Sequence, residues 1–211
     1  MFFEVPVKGD RIVELTEAFG VQLAIDTEFN SNAGLLLERS TGLGVIHPDD
    51  TGASLDHGEL VVFGTALDDV TEVRSVDGRV EVQFNAELSV FDRSLVDAFF
   101  AETGDGADRI HFEGELTGVT ASVHLGDDDD ELSSVDSTLG ESRIIAGGGN
   151  DVVLTNDANQ HVRGGLGDDR IVTGAGADSV FGDEGADTLA SGLGDDSVDG
   201  GEGSDLSLIH I

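Results

Sequence analysis

The most regular feature of the chain is an apolar side chain at every ninth residue: Ile144, Val153, Val162, Ile171, Val180, Leu189 and Val198. Cut into nines from Ser137, the sequence reads STLGESRII, AGGGNDVVL, TNDANQHVR, GGLGDDRIV, TGAGADSVF, GDEGADTLA, SGLGDDSVD and GGEGSDLSL without a gap. The apolar residue holds the eighth place of each unit and fails only at Ser207. The fourth place is Gly except at Ala158, and the sixth is Asp except at Ser142 and Gln160. Gly allows the positive φ and the close backbone approach that tight turns need. Each unit therefore divides into a Gly-rich turn of six residues and a strand of three. Two units make one coil of a flattened solenoid with two facing sheets, the eighth side chain pointing inward.

The same places recur upstream in weaker form. Thr103 to Ile110 repeats the Gly, Asp and apolar positions, and Gly64 to Asp69 reads as a degenerate opening unit. Arg79 to Phe84 alternates polar and apolar residues, the signature of a strand with one buried face. Asp92 to Phe100 suits a short helical turn or a loop. Residues 58–136 are thus expected to form irregular β-helical coils that lead into a regular array at 137–205. Residues 1–57 mix helical and strand periodicities, with a turn at Ser31 to Gly34, and suit a β-rich cap or the tail of an upstream domain. The last six residues, 206–211, read like the translation of a sequencing-library adapter and are set aside from fold reasoning.

The nonapeptide G-G-x-G-x-D-x-U-x, with U apolar, is matched at every fixed position by Gly164 to Val172. In this the array resembles the haemolysin-type calcium-binding repeats of RTX proteins. The resemblance implies an all-β chain folded as a right-handed parallel β-helix or β-roll solenoid, with Ca²⁺ as its cofactor. It also implies type I export through a C-terminal signal, and a place among secreted toxins, adhesins and exoenzymes.

Composition narrows the partners. The chain has 44 acidic and 10 basic residues, a net charge of −34, and no Cys, Trp or Tyr. Nucleic acid is excluded as a partner, because its phosphates are bound by clustered Lys and Arg. Disulfides and thiolate metal sites are excluded too. No run of about 18 apolar residues exists to span a membrane, and the start lacks the basic and apolar regions of a Sec signal peptide. The composition also shifts along the chain: ten of the 11 Phe lie at or before Phe112, while the last 99 residues hold 19 of the 30 Gly.

Stacking the coils sorts the sixth places into two columns, Asp151, Asp169, Asp187 and Asp205 on one edge and Ser142, Gln160, Asp178 and Asp196 on the other. Coils stack at about 4.8 Å, the spacing of paired strands. Two carboxylates about 5 Å apart repel by roughly 3 kcal/mol at an effective dielectric near 20. A divalent cation between turns reverses that sign. Carboxylates and turn carbonyls, those of Gly149, Gly167, Gly185, Gly176 and Gly194, form an all-oxygen donor set that suits Ca²⁺ better than Mg²⁺ or zinc. Well-formed sites are expected between Asp151 and Asp169, Asp169 and Asp187, Asp187 and Asp205, and Asp178 and Asp196. The Ser142/Gln160 step should be empty and the Gln160/Asp178 step weak or empty.

Other motifs carry less. Asp127 to Glu131 lacks the Gly and distal Glu of an EF-hand and reads as a degenerate turn. Gly147 to Gly149 has no Lys after it to hold a phosphate. Asp50-Thr51-Gly52 follows His47-Pro48-Asp49 and has no second copy, so a turn is expected there, not an aspartic-protease site; His47 and His57 suit an exposed loop. No His-Glu-x-x-His or Gly-x-Ser-x-Gly is present. The expectation is a non-enzymatic, calcium-stabilised repeat region of an extracellular or surface protein. The alternative is the C-terminal part of an exoenzyme or toxin whose catalytic domain lies upstream. The sequence names no protein or surface partner.

Overall fold

The computed structural model describes residues 52–210; the expected β-rich segment up to residue 51, with its turn at Ser31 to Gly34, the loop at His47 and the start of the turn at Asp50-Thr51, lies outside them. The described chain is almost wholly strand, wound as a β-solenoid that matches the parallel β-roll architecture. One sheet has eight strands, in spatial order Gly52–Asp56, Glu59–Phe63, Ala98–Asp105, Thr120–Asp127, Ser142–Gly148, Gln160–Leu166, Ser179–Glu184 and Ser197–Asp199. The other has nine: Leu206–His210, Thr188–Leu193, Arg170–Val172, Val152–Leu154, Glu131–Ser137, Arg109–Gly114, Val70–Val76, Arg79–Phe84 and Glu87–Asp92. From Ala98 onward the chain alternates between the sheets, so each strand pairs in parallel with the strand one coil earlier.

The expected period holds. Ile144 pairs with Val162 and Val162 with Val180, while Val153 pairs with Ile171 and Ile171 with Leu189. All six are buried. Side chains alternate across a strand, so the sixth, eighth and following first places all face inward. Asp169, Ile171 and Thr173, for example, are each no more than 3% exposed.

The upstream coils are longer and bulkier inside, which is where the phenylalanines go. Phe99 and Phe112 meet edge to face at 4.9 Å in a core shared with Leu60, Ile110, Leu116, Leu125 and Leu132. Arg79–Phe84 is the expected strand, but it is antiparallel to both neighbours, forming with Glu87–Asp92 a meander that extends the second sheet. A 3₁₀ turn at Arg93–Leu95 follows, capped by Asp92 accepting from the Ser94 amide. At the other end Leu206–His210 pairs in parallel with Thr188–Leu193 through a bulge, with Ser207 opposite Leu189. The hexapeptide set aside above thus continues the ladder, because backbone pairing asks for no particular side chain.

Candidate metal centre

The first edge of the solenoid carries an unbroken column of aspartates, buried at Asp151, Asp169 and Asp187 and exposed at its last member, Asp205. The amide of Asp151 donates to Asp169 Oδ1 at 2.9 Å, that of Asp169 to Asp187 Oδ1 at 2.9 Å, and that of Asp187 to Asp205 Oδ1 at 3.1 Å. Each bond spans 18 residues, as the stacked register requires. The column continues upstream through residues that the sequence places in degenerate units and that are not among the expected metal ligands. Asp130 donates to Asp151 across 21 residues, Asp108 to Asp130 across 22, and Asp69 to Asp108 across 39. Coil length changes, yet the column does not break. The available signal was short: Asp108-Arg109-Ile110 and Asp130-Glu131-Leu132 keep the Asp-x-apolar spacing after the even period is lost. Asp127 to Glu131 is the expected degenerate turn, with Asp128 at φ +81° in the place that Gly takes in the array.

The second column also forms. Gln160 donates its amide to Asp178 Oδ1 at 2.8 Å, and Asp178 donates to Asp196 Oδ1 at 3.0 Å. The Gln160 side chain lies in the turn, its Nε2 donating to Asn156 Oδ1 at 3.1 Å. Ser142, the remaining exception, turns its hydroxyl to the Gly140 carbonyl at 3.1 Å.

In seven of these aspartates one carboxylate oxygen is thus used and the other is not, while Asp69 has both engaged, by the Thr65 amide and the Asn85 side chain. Oδ2 of Asp108, Asp130, Asp151, Asp169, Asp187, Asp178 and Asp196 is buried without a hydrogen-bond partner. A buried polar atom left unpaired costs about 1–3 kcal/mol, and more when charged. The electrostatics agree: burial, joined by the carboxylates of Asp151, Asp187 and Asp168, pushes Asp169 up to about 7. Burial likewise raises Asp130 to about 7 and Asp151 to about 6, and it raises Asp108, Asp178 and Asp187. These groups hold a charge in a place built against it.

Glycine brings the carbonyls in. At Gly167 φ is +115°, and an added Cβ would stand 1.9 Å from the Gly149 carbonyl oxygen below. Gly185 faces the Gly167 oxygen and Gly194 the Gly176 oxygen in the same way. Asp128 offers the corresponding carbonyl beneath Gly149. The inter-coil amide bonds of the turns go elsewhere, to third-place carbonyls such as those of Leu166 and Glu184 and to the aspartate carbonyls. Among the described residues no three His, Cys, Asp or Glu side chains gather in one shell. A cation here therefore draws on carboxylate oxygens together with backbone carbonyls. That donor set fits a hard ion such as Ca²⁺. The orphaned Oδ2 atoms are what a cation would satisfy.

A scan against protein families matches the RTX calcium-binding nonapeptide repeat in four copies, at residues 136–159, 154–189, 163–198 and 172–206. Residues 136–206 are RTX calcium-binding repeats. Comparison with curated proteins gives no match, and neither does comparison with solved structures. RTX repeats bind calcium ions, so the region is a calcium-binding, β-roll segment. Asp69, Asp108 and Asp130 lie outside the matched RTX span, although the solenoid places them in the same column. No helix among the described residues is long and apolar enough to cross a membrane.

Proposed function

We propose that this chain is a calcium-folded structural segment of a secreted or cell-surface protein, non-catalytic in itself. Its ligands are the Asp151, Asp169, Asp187 and Asp205 column and the Asp178/Asp196 pair, with turn carbonyls of Gly149, Gly167, Gly185, Gly176 and Gly194 as neighbours. The observation that carries the reading is the line of unpartnered, buried Oδ2 atoms. Sites built from single carboxylates and carbonyls belong to the extracellular affinity class, about 10⁻⁴ to 10⁻³ M. Cytosolic calcium leaves such sites empty and extracellular calcium fills them, so binding free energy becomes folding free energy outside the cell. That supports a segment that folds after leaving the cell; type I export and use as an adhesin or toxin scaffold are what the resemblance to RTX proteins implies.

The test is far-ultraviolet circular dichroism of the chain during a calcium titration from EDTA to 10 mM, with magnesium as control. The expected result is a gain of β signal and of thermal midpoint with half-effect between about 0.1 and 1 mM. Equal β content and equal heat resistance in EDTA would overturn it.

A further inference from the structure

The two edges are not chemically equivalent, and the difference lies in the first place of each unit. On the first edge that place holds Ala146, Gly164, Gly182 and Gly200; on the second it holds Ser137, Thr155, Thr173 and Ser191. Both sets face the interior. A Cβ added at Gly164 would sit 2.1 Å from Asp169 Oδ2 and 2.8 Å from the Gly182 carbonyl oxygen of the next coil. At Gly182 the same two distances are 2.1 Å to Asp187 Oδ2 and 2.4 Å to the Gly200 oxygen. Each glycine thus leaves a space faced by an unpartnered carboxylate oxygen of its own coil and a carbonyl oxygen of the coil above.

On the second edge a side chain stands at that place, its hydroxyl bonded to the next coil at Thr173 and without a partner at Thr155 and Ser191. Thr173 is 3% exposed, and its Oγ1 donates to the Ser191 carbonyl at 3.0 Å. Ser191 stands over Thr173 as Gly182 stands over Gly164, so the hydroxyl already occupies the carbonyl that a cation would need. Upstream on the first edge Thr103 does the same to the Leu125 carbonyl at 2.5 Å. Ala146 and Leu125 put a methyl and a larger apolar group at the first place of the Asp151 and Asp130 coils.

We propose that calcium binding in this chain is one-edged. The strong sites are the two open cradles over Gly164 and Gly182, while the second edge and the Asp130 and Asp151 coils, filled at the first place, bind weakly. This rests on the calcium reading and adds which steps load. It predicts fewer strong sites than the count of stacked aspartates.

The experiment is isothermal calorimetry of the full chain with CaCl₂, comparing the parent with Asp187→Asn, Gly182→Ser, Asp196→Asn and Thr173→Gly. Asp187→Asn and Gly182→Ser should each cut the strong class, whereas Asp196→Asn should diminish only the weak, second-edge class and leave the strong class with its number and with a midpoint within about twofold. Thr173→Gly, which frees the Ser191 carbonyl, should strengthen a second-edge step at least tenfold. Loss of the strong class in Asp196→Asn, or its survival in Gly182→Ser, would overturn the proposal. If Gly182→Ser does not fold in 20 mM calcium, Asp196→Asn and Thr173→Gly decide the matter alone. Unchanged binding in both asparagine variants would instead sink the calcium reading itself.

Discussion

Replacing Asp169 by Asn separates the two roles of the column. Asp169 Oδ1 accepts from the Asp151 amide at 2.9 Å, and an asparagine oxygen of the same shape can keep that bond. Oδ2 has no partner, and the Gly182 carbonyl oxygen faces the same space, so an asparagine NH₂ there gains an acceptor where a carboxylate finds none. A carboxyl held at about 7 against its ordinary 3.8 costs about 4 kcal/mol to keep ionised at pH 8. In EDTA at pH 8 the variant should therefore be the more stable protein, by up to that amount. A change of this size moves a thermal midpoint by on the order of 10 °C in a domain of this length. Calcium acts in the opposite direction. A site at 10 to 100 times its Kd contributes about 1.4–2.7 kcal/mol, and the variant forfeits the Asp169–Asp187 step. The assay is a circular-dichroism melt at pH 8 in EDTA and in 10 mM calcium, with folding driven by trimethylamine oxide where the calcium-free chain is unfolded. The expected pattern is a higher midpoint in EDTA, or less osmolyte needed, together with a smaller gain on adding calcium. A variant less stable than the parent in EDTA, with an undiminished calcium gain, would refute the assignment of Asp169 as a strained, cation-seeking carboxylate.

Acid should act as a partial substitute for the metal. Asp130 and Asp169 titrate near 7 and Asp151 near 6 in the fold, against an ordinary 3.8, so the folded state binds protons more tightly than the unfolded one. Calcium-free stability should then rise as pH falls from 8 through this range, by up to about 1.4 kcal/mol per pH unit for each carboxyl, and level off below about 4; denaturant melts in EDTA that weaken steadily on acidification from pH 8 to 5 would contradict this. Calcium affinity should fall over the same range, because the ligands become protonated, and calorimetry at pH 8 and 5.5 measures it. Gly167→Ala, with φ at +115° and a Cβ 1.9 Å from backbone oxygen, should prevent the array from closing, while Gly148→Ala, whose nearest neighbour would be the Asp127 side chain at 3.2 Å, should melt within a few degrees of the parent. Phe99→Ala removes a ring that is 1% exposed and packed on Phe112, and should cost about 3–5 kcal/mol equally with and without calcium; a loss seen only with calcium bound would show the upstream coils to be coupled to the metal sites.

The periodic part of the sequence determined the solenoid by itself. An apolar residue every nine places, a glycine four places before it and an aspartate two before it leave one way to bury the first, turn at the second and stack the third. Ile144, Val162 and Val180 lie in register for that reason, and Asp151, Asp169 and Asp187 form the column that the repeat length dictates. What the sequence left open is whatever depends on which backbone lies above which. Asp108 and Asp130 share the column although 22 and 21 residues separate the links of the ladder there, because strand pairing tolerates longer outer loops while the inner faces stay aligned. The alternation of Gly with Ser and Thr at the first place is written in the chain, yet its meaning is not. Only the stacked coils reveal that the first place faces inward beside the aspartate, where a missing Cβ opens room for an ion and a hydroxyl closes it.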